Sequence, residues 1–244
     1  MSFATFVIFG LISICSLIHA YTININFHSQ LNNRPIIGVL AQHFHPDNPF
    51  PPTIPGDSYI SASYVKYLES AGARVVPIEI NQDPEVIKKL LSSVNGVLFP
   101  GGDAYVMDSP YQKNAKLVYE YAIHEKDMNG NTFPVWGTCL GFQQLHCLVA
   151  GTDSVLSNSS KTWDVTKSLP DLDRTGRMTR DMPYDLFQAA ILEPLGYHAH
   201  RNCVSVDAYM NNEKLKNFFK ILSTNEDSDG KGFVSTVEGK TFQK

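Results

Sequence analysis

Phe133-Pro-Val-Trp-Gly-Thr-Cys-Leu-Gly-Phe-Gln-Gln-Leu145 is the stretch on which the reading of this chain turns. Phe133 to Trp136 is apolar and short, as a buried strand is, and Leu140 onward has the spacing of a helix. Between them Gly137-Thr138-Cys139-Leu140-Gly141 matches the cysteine form of the nucleophile elbow. Small flanking residues let the backbone take a strained turn there, which holds one side chain out at the top of a sheet. Cys139 is therefore the candidate nucleophile. At the first turn of a helix its sulfur would meet unpaired N–H groups and the positive end of the helix dipole, both of which favour a thiolate.

Working outward, strand and helix patterns alternate from Pro35 on, which predicts an α/β fold with a mostly parallel central sheet flanked by helices. Pro35 to Ala41 reads as a central strand, Ser58 to Ala71 as a helix closed by Gly72, and Arg74 to Ile80 as a second strand. Asp83-Pro84-Glu85 opens a helix running to Leu91, because it offers a capping carboxylate, a proline at the first turn and an acid near the positive end. Gly96 to Gly102 is a third strand with its exit, and Ser109-Pro110 begins a helix reaching about Lys126. The elbow follows, with a helix over Leu140 to Ala150. Residues 151–180 are polar and read as irregular, the rim of a cleft. Beyond them Tyr184 to Leu192 and Glu213 to Phe219 read as helices and Cys203 to Val206 as a strand. Phe219 to Thr224 and Phe233 to Glu238 read as strands joined by a solvated acidic turn. That turn lacks the ligand spacing of a calcium loop.

The chain has 244 residues, 43% hydrophobic and 18% charged, with a net charge of -4. No basic surplus exists to neutralise phosphates, so nucleic acid is not an expected partner. Phe3 to Leu17 is almost uninterrupted apolar or small sequence and Ser16 to Ala20 ends on a small residue, so residues 1–20 read as a cleaved signal peptide. The apolar run is shorter than the ~20 residues needed to span a bilayer, so no membrane anchor is expected. A flexible segment over 21–33 and one domain over 34–244 complete the expected organisation. Cys139, Cys147 and Cys203 then remain; a Cys147–Cys203 bridge and two buried thiols are both open readings. No cysteine pair has metal-ligand spacing, and neither metal nor cofactor is expected. Asn158-Ser159-Ser160 is the one glycosylation sequon.

Acyl transfer at Cys139 needs donors for an oxyanion and a base for the thiol. Leu140 N–H is one natural donor. Gly101 and Gly102 at the exit of the third strand are others, since paired glycines let amides approach a ligand, although a tight turn would ask for the same two residues. The base is less legible. His146 lies seven residues along the helix, about 10 Å from Cys139, and cannot easily turn back. His43, His45 and His124 have no recognisable setting, while His198 and His200 could reach a cleft.

Several blocks together resemble the gamma-glutamyl hydrolase family, a branch of the class I glutamine amidotransferase-like proteins. They are Arg34 to Leu40, Ala62 to Pro77, Asn95 to Gly102, Phe133 to Leu145, and Glu193-Pro-Leu195 through Gly239. The resemblance implies the family's flavodoxin-like three-layer fold and hydrolysis of gamma-linked glutamyl amides in folate or antifolate poly-gamma-glutamates. It also implies Cys139 as nucleophile, Leu140, Gly101 and Gly102 at the oxyanion, and Gln143 and His200 lining the pocket. With the signal-like start it implies a secreted, lysosomal or vacuolar glycoprotein; a homodimer is left open. In that family the strand after a Glu-Gly like Glu238-Gly239 enters a Gln-Trp-His-Pro-Glu type motif that supplies the general acid/base, and a final helix follows. Here the sequence reads Lys240-Thr-Phe-Gln-Lys244, so the expectation is a fragment or truncated product, inactive or nearly so. Two other readings stand beside it: a binding protein that keeps the pocket without turnover, and the glutaminase part of an amidotransferase.

Overall fold

A sheet with helices on its faces must bury its inner strands on both sides, and the five-residue run Ile36–Leu40 (β1) meets that demand with Gly38, Val39 and Leu40 buried. The computed structural model describes residues 32–44, 56–158 and 163–240. The signal segment, most of the segment over 21–33, His45, Ser159, Ser160 and residues 241–244 lie outside the described residues.

After β1 come the short strands Gln42–His43 (β2) and Ser58–Tyr59 (β3), an antiparallel pair. The helix Ala62–Ser70 (α1) leads to Arg74–Ile78 (β4), Pro84–Leu91 (α2) and Gly96–Phe99 (β5). Then follow Pro110–Asn129 (α3), Val135–Gly137 (β6) and Leu140–Ala150 (α4). The strands β4, β1, β5 and β6 lie side by side in that order, all parallel. This is the α/β class expected from the alternating pattern, and β5 is buried along its whole length. The start of α2 is also as its residues dictate: Asp83 caps it by accepting from the Glu85 N–H at 2.8 Å, and Glu85 pairs with Lys88 one turn on.

The second half differs from the expectation in residues 151–180, at Gly196–Ala199 and at Val206–Met210. Residues 151–180, read as irregular, contain the strands Leu156–Asn158 (β7) and Trp163–Lys167 (β8). Both find partners far along the chain: β8 pairs with Gly196–Ala199 (β9) and β7 with Asn202–Val204 (β10), each antiparallel. Polar strands of three to five residues carry no periodic signal, so only the partner reveals them. Tyr184–Leu192 (α5) and Glu213–Phe218 (α7) form as expected, and Val206–Met210 (α6) is a short helix between them that the sequence pattern did not mark. Phe219–Glu226 (β11) and Gly232–Gly239 (β12) make the antiparallel hairpin that the acidic turn joins. The cysteines Cys139, Cys147 and Cys203 are all free, so the bridge left open between the last two does not form.

The core is built where α4 meets the sheet. Leu40, Ile78, Val97, Phe99, Tyr111 and Leu140 belong to one buried cluster, and Cys147, Val204, Leu215, Phe219 and Val234 to a second. Leu145 packs against both, so α4 is the element common to the parallel sheet and the terminal hairpin. Two glycines allow α4 to sit so close. A Cβ on Gly137 would lie 2.6 Å from the Gly141 carbonyl oxygen, and one on Gly141 would overlap the Phe99 carbonyl oxygen. Gly141→Ala is expected to cost about 1–3 kcal/mol or more in urea unfolding, because backbone must move to admit the methyl. Gly130→Ala, with φ +66° but nothing within 4 Å of the added carbon, should cost about 1 kcal/mol or less.

Candidate active site

Three adjacent parallel strands end at one place, and the residue or turn beyond each is polar or glycine: Gln42 after β1, Gly101-Gly102 after β5 and Cys139 after β6. Ligands of open α/β sheets gather at such carboxyl ends. Cys139 has φ +53° and ψ -110°, a conformation an L-residue adopts only when its surroundings impose it. They do so through the backbone: Thr138 N–H donates to the Phe99 carbonyl at 3.0 Å and Gly141 N–H to that of Pro100 at 3.2 Å. The strand-turn-helix geometry that the elbow motif requires is thus present at Cys139.

The half-buried sulfur faces amides from two elements. Burial pushes the Cys139 thiol above its ordinary range; backbone hydrogen bonds from Leu140 and Gly102 oppose the rise, and the Asp103 charge adds to it. The sulfur does not cap α4 through amides further along the helix. The helix N-terminus does favour a thiolate, as the sequence implied, but burial outweighs it and the resting group is the thiol.

Gly101 and Gly102 are packed too tightly to carry side chains. A Cβ on Gly101 would overlap the Tyr64 hydroxyl and lie 3.1 Å from Cys139 Cβ, and one on Gly102 would overlap the Gln42 amide. Gln42, wholly buried, fastens the turn: its Nε2 donates to the Gly101 carbonyl at 2.8 Å, and its Oε1 accepts from Asp103 N–H at 3.3 Å. Sequence reading passed over Gln42, Tyr64 and Asp103. The available signal was positional, a polar residue directly beyond the carboxyl end of an apolar strand in the case of Gln42.

Gln143 lies one turn along α4, where its Nε2 donates to the Asn202 carbonyl at 2.6 Å and ties the helix to β10. His200 sits just past β9, its Nε2 3.1 Å from His198 Nδ1, with both rings edge-on to Phe233. Burial pushes His200 down, with a backbone hydrogen bond to Asn202 acting the other way, and burial with the His200 and Lys167 charges pushes His198 down to about 4. His146 is a core residue, bonded through Nδ1 to the Phe142 carbonyl at 2.8 Å and stacked on Phe219. His124 is exposed on α3, and His43 stacks on Tyr105. Asn158 ends β7, opposite Asn202. Among the described residues no group of three or more His, Cys, Asp or Glu could hold a metal ion, and no helix is long and apolar enough to cross a membrane.

An elbow cysteine facing amides from its own helix and from a neighbouring strand exit is the arrangement of a thiol hydrolase or transferase site. The family model described as Peptidase C26 matches residues 35–169, which include all three strand ends, and the chain belongs to that family. It is similar to Gamma-glutamyl hydrolase B of Dictyostelium discoideum, 35% identical over 231 residues, which are 92% of this chain and 65% of the relative. It is 43% identical to the Gamma-glutamyl hydrolase of Mus musculus over 85% of this chain and 64% of the relative. To that of Homo sapiens it is 43% identical over 88% of this chain and 66% of the relative. The chain therefore spans just under two thirds of the length of these relatives.

Strain at Cys139 is relieved by glycine, so Cys139→Gly is expected to be more stable than Cys139→Ala by about 1 kcal/mol in urea unfolding. Burial also pushes His146 down to about 4. Between that value and the ~6.5 of an unfolded imidazole, the unfolded chain binds more protons, so stability falls as the pH is lowered through this window. Urea titrations at pH 7 and pH 4.5 should show a loss on the order of 2 kcal/mol from this residue, and His146→Leu should flatten that part of the pH dependence.

Proposed function

We propose that this chain carries the acyl-transfer site of a gamma-glutamyl hydrolase. The observation that carries the proposal is the convergence of the Leu140 and Gly102 amides on the Cys139 sulfur at a strained elbow. Cys139 Sγ attacks the gamma-carbonyl carbon of a glutamyl amide and the carbonyl oxygen takes up the negative charge. The Leu140 and Gly102 N–H groups receive that charge, with the Gly101 turn fixing the second of them. The C–N bond then breaks, the amine leaves with a proton, and the glutamyl thioester on Cys139 is hydrolysed by water. Gln143 and His200 line the pocket in this reading, and the substrates are poly-gamma-glutamates of folates or antifolates. The apolar first twenty residues and the Asn158 sequon support a secreted, lysosomal or vacuolar glycoprotein.

A second reading, binding without turnover, is favoured by one observation: burial holds the Cys139 thiol protonated at rest. We accordingly expect slow or no turnover by the 244-residue chain itself. The two readings separate by incubating it with a pteroyl-poly-gamma-glutamate and following binding, glutamate release and the mass of Cys139. The hydrolase reading predicts binding together with a pteroyl-gamma-glutamyl thioester on Cys139 or release of glutamate, both absent in Cys139→Ala. Binding with neither adduct nor release selects the second reading, and absence of binding removes both.

A further inference from the structure

The side-chain amide of the wholly buried Gln42 is given over to one turn of backbone. Its Nε2 donates to the Gly101 carbonyl at 2.8 Å, and its Oε1 accepts from Asp103 N–H at 3.3 Å and from the Tyr59 hydroxyl at 3.4 Å. Two donors at one end of the amide and an acceptor at the other settle which end is which. The backbone bonds bracket the peptide group that joins Gly101 to Gly102, which is trans like every other peptide among the described residues. In a trans peptide the C=O and N–H point to opposite sides, with the N–H on the side of the preceding Cα. Since the Gly101 carbonyl faces Gln42, the Gly102 N–H faces away from it, on the side of Gly101 Cα. Cys139 occupies that side: a Cβ on Gly101 would lie 3.1 Å from Cys139 Cβ, whereas one on Gly102 would fall into the Gln42 amide. Sterics do not hold the peptide this way round. With glycine on both sides, a half-turn of the group carries no side chain into a clash, and the turned form would aim the Gly101 carbonyl at the sulfur.

We propose that Gln42 is a positioning residue of this site: it selects the orientation of the peptide between Gly101 and Gly102, keeping the N–H on the Cys139 side, where it meets negative charge on the sulfur or on an oxygen bound next to it. Donation to the carbonyl of that peptide also polarises the N–H, so the donor is strengthened as well as aimed. Loss of Gln42 leaves a buried carbonyl and a buried N–H unpaired, and the peptide then turns to find other partners. In the acyl-transfer reading, on which the link to catalysis rests, one of the two oxyanion donors would be replaced by a carbonyl.

The test is alkylation of the full chain by iodoacetamide across a range of pH, read on each cysteine peptide by mass spectrometry, with no substrate present. Gln42→Met keeps the length of the side chain and removes its hydrogen bonds. Cys139 should then react about tenfold more slowly at a given pH, the loss of one charge-assisted hydrogen bond to the thiolate, with its pH profile displaced upward to match. Loosened structure acts in the opposite direction, because it relieves the burial that holds the thiol up and speeds alkylation. The other groups that act on the sulfur or feel its charge, Asp103, Tyr64 and Tyr111, are the same in both chains. The buried Cys147 reports on the fold, since it stays unmodified only while the core is closed. Slower reaction at Cys139 with Cys147 protected supports the assignment, and an equal or faster one with Cys147 protected overturns it. If Gln42→Met exposes Cys147, the same two outcomes are read on Tyr59→Phe, which removes only the hydroxyl bond to Oε1 and should slow Cys139 about threefold. Overturning the assignment leaves the gamma-glutamyl hydrolase reading standing. Slower alkylation in a chain that binds no pteroyl-poly-gamma-glutamate removes that reading and keeps the role of Gln42 at the sulfur.

Discussion

Everything at the candidate site depends on how closely α4 is pressed against the exit of β5. Gly141 touches the Phe99 carbonyl and its N–H reaches Pro100, while Thr138 N–H holds Phe99 from the other side of the cysteine. With both ends of the turn fixed, Cys139 has no relaxed conformation open to it and remains at φ +53°. Such a residue carries roughly 1–3 kcal/mol of strain and persists only where packing over-determines it. The buried cluster of Phe99, Tyr111, Val118 and Leu140 provides that packing. The same approach brings the Gly101-Gly102 turn against the sulfur, so the strain at the cysteine and the presence of a second amide beside it have one cause.

The electrostatics then follow from burial. Two amides favour a negative sulfur, yet desolvation and the Asp103 charge together win, and the resting group keeps its proton. In the acyl-transfer reading proposed above, a buried thiol with amide donors already in place is arranged for the charge that develops during attack and not for the ground state, which is how a preorganised site lowers a barrier. Tyr111 behaves consistently with this. Its hydroxyl is wholly buried, and desolvation, reinforced by the proximity of Cys139 and Tyr64, holds it far above the usual phenol range. The interior beneath the elbow is poorly hydrated, and each charge introduced there acts at greater strength.

The parallel sheet, α2 with its Asp83 cap, the elbow and the terminal hairpin were legible in the sequence because each is signalled locally, by an apolar run, a capping triplet, a pair of glycines or an acidic turn. Strands β7 and β8 were not, because Leu156–Asn158 and Trp163–Lys167 are defined by partners at β10 and β9 some thirty to fifty residues away. The elbow at Cys139 was readable from the Gly137-x-Cys139-x-Gly141 spacing between an apolar strand and a helix. Gln42 was not, although it organises the turn beside the cysteine, since a single glutamine after a strand has no motif. The sign of the shift at the sulfur was also beyond the sequence: the helix terminus predicts a thiolate, and only the extent of burial reverses it. The reading of His146 as unable to reach Cys139 agrees with its place in the core against Phe219.

The three described thiols also differ in durability. Cys147 is buried and pushed up to about 12 by desolvation and the Asp153 charge, Cys203 is buried beside Ser157, and neither is joined to anything. Peroxides attack the thiolate, so a sulfur that stays protonated at rest is consumed slowly. The buried rise at Cys139 therefore serves as protection as well as restraint. A chain whose described part has no cross-link to lose, and whose elbow sulfur ionises only reluctantly, offers no disulfide to a reductant and little thiolate to an oxidant.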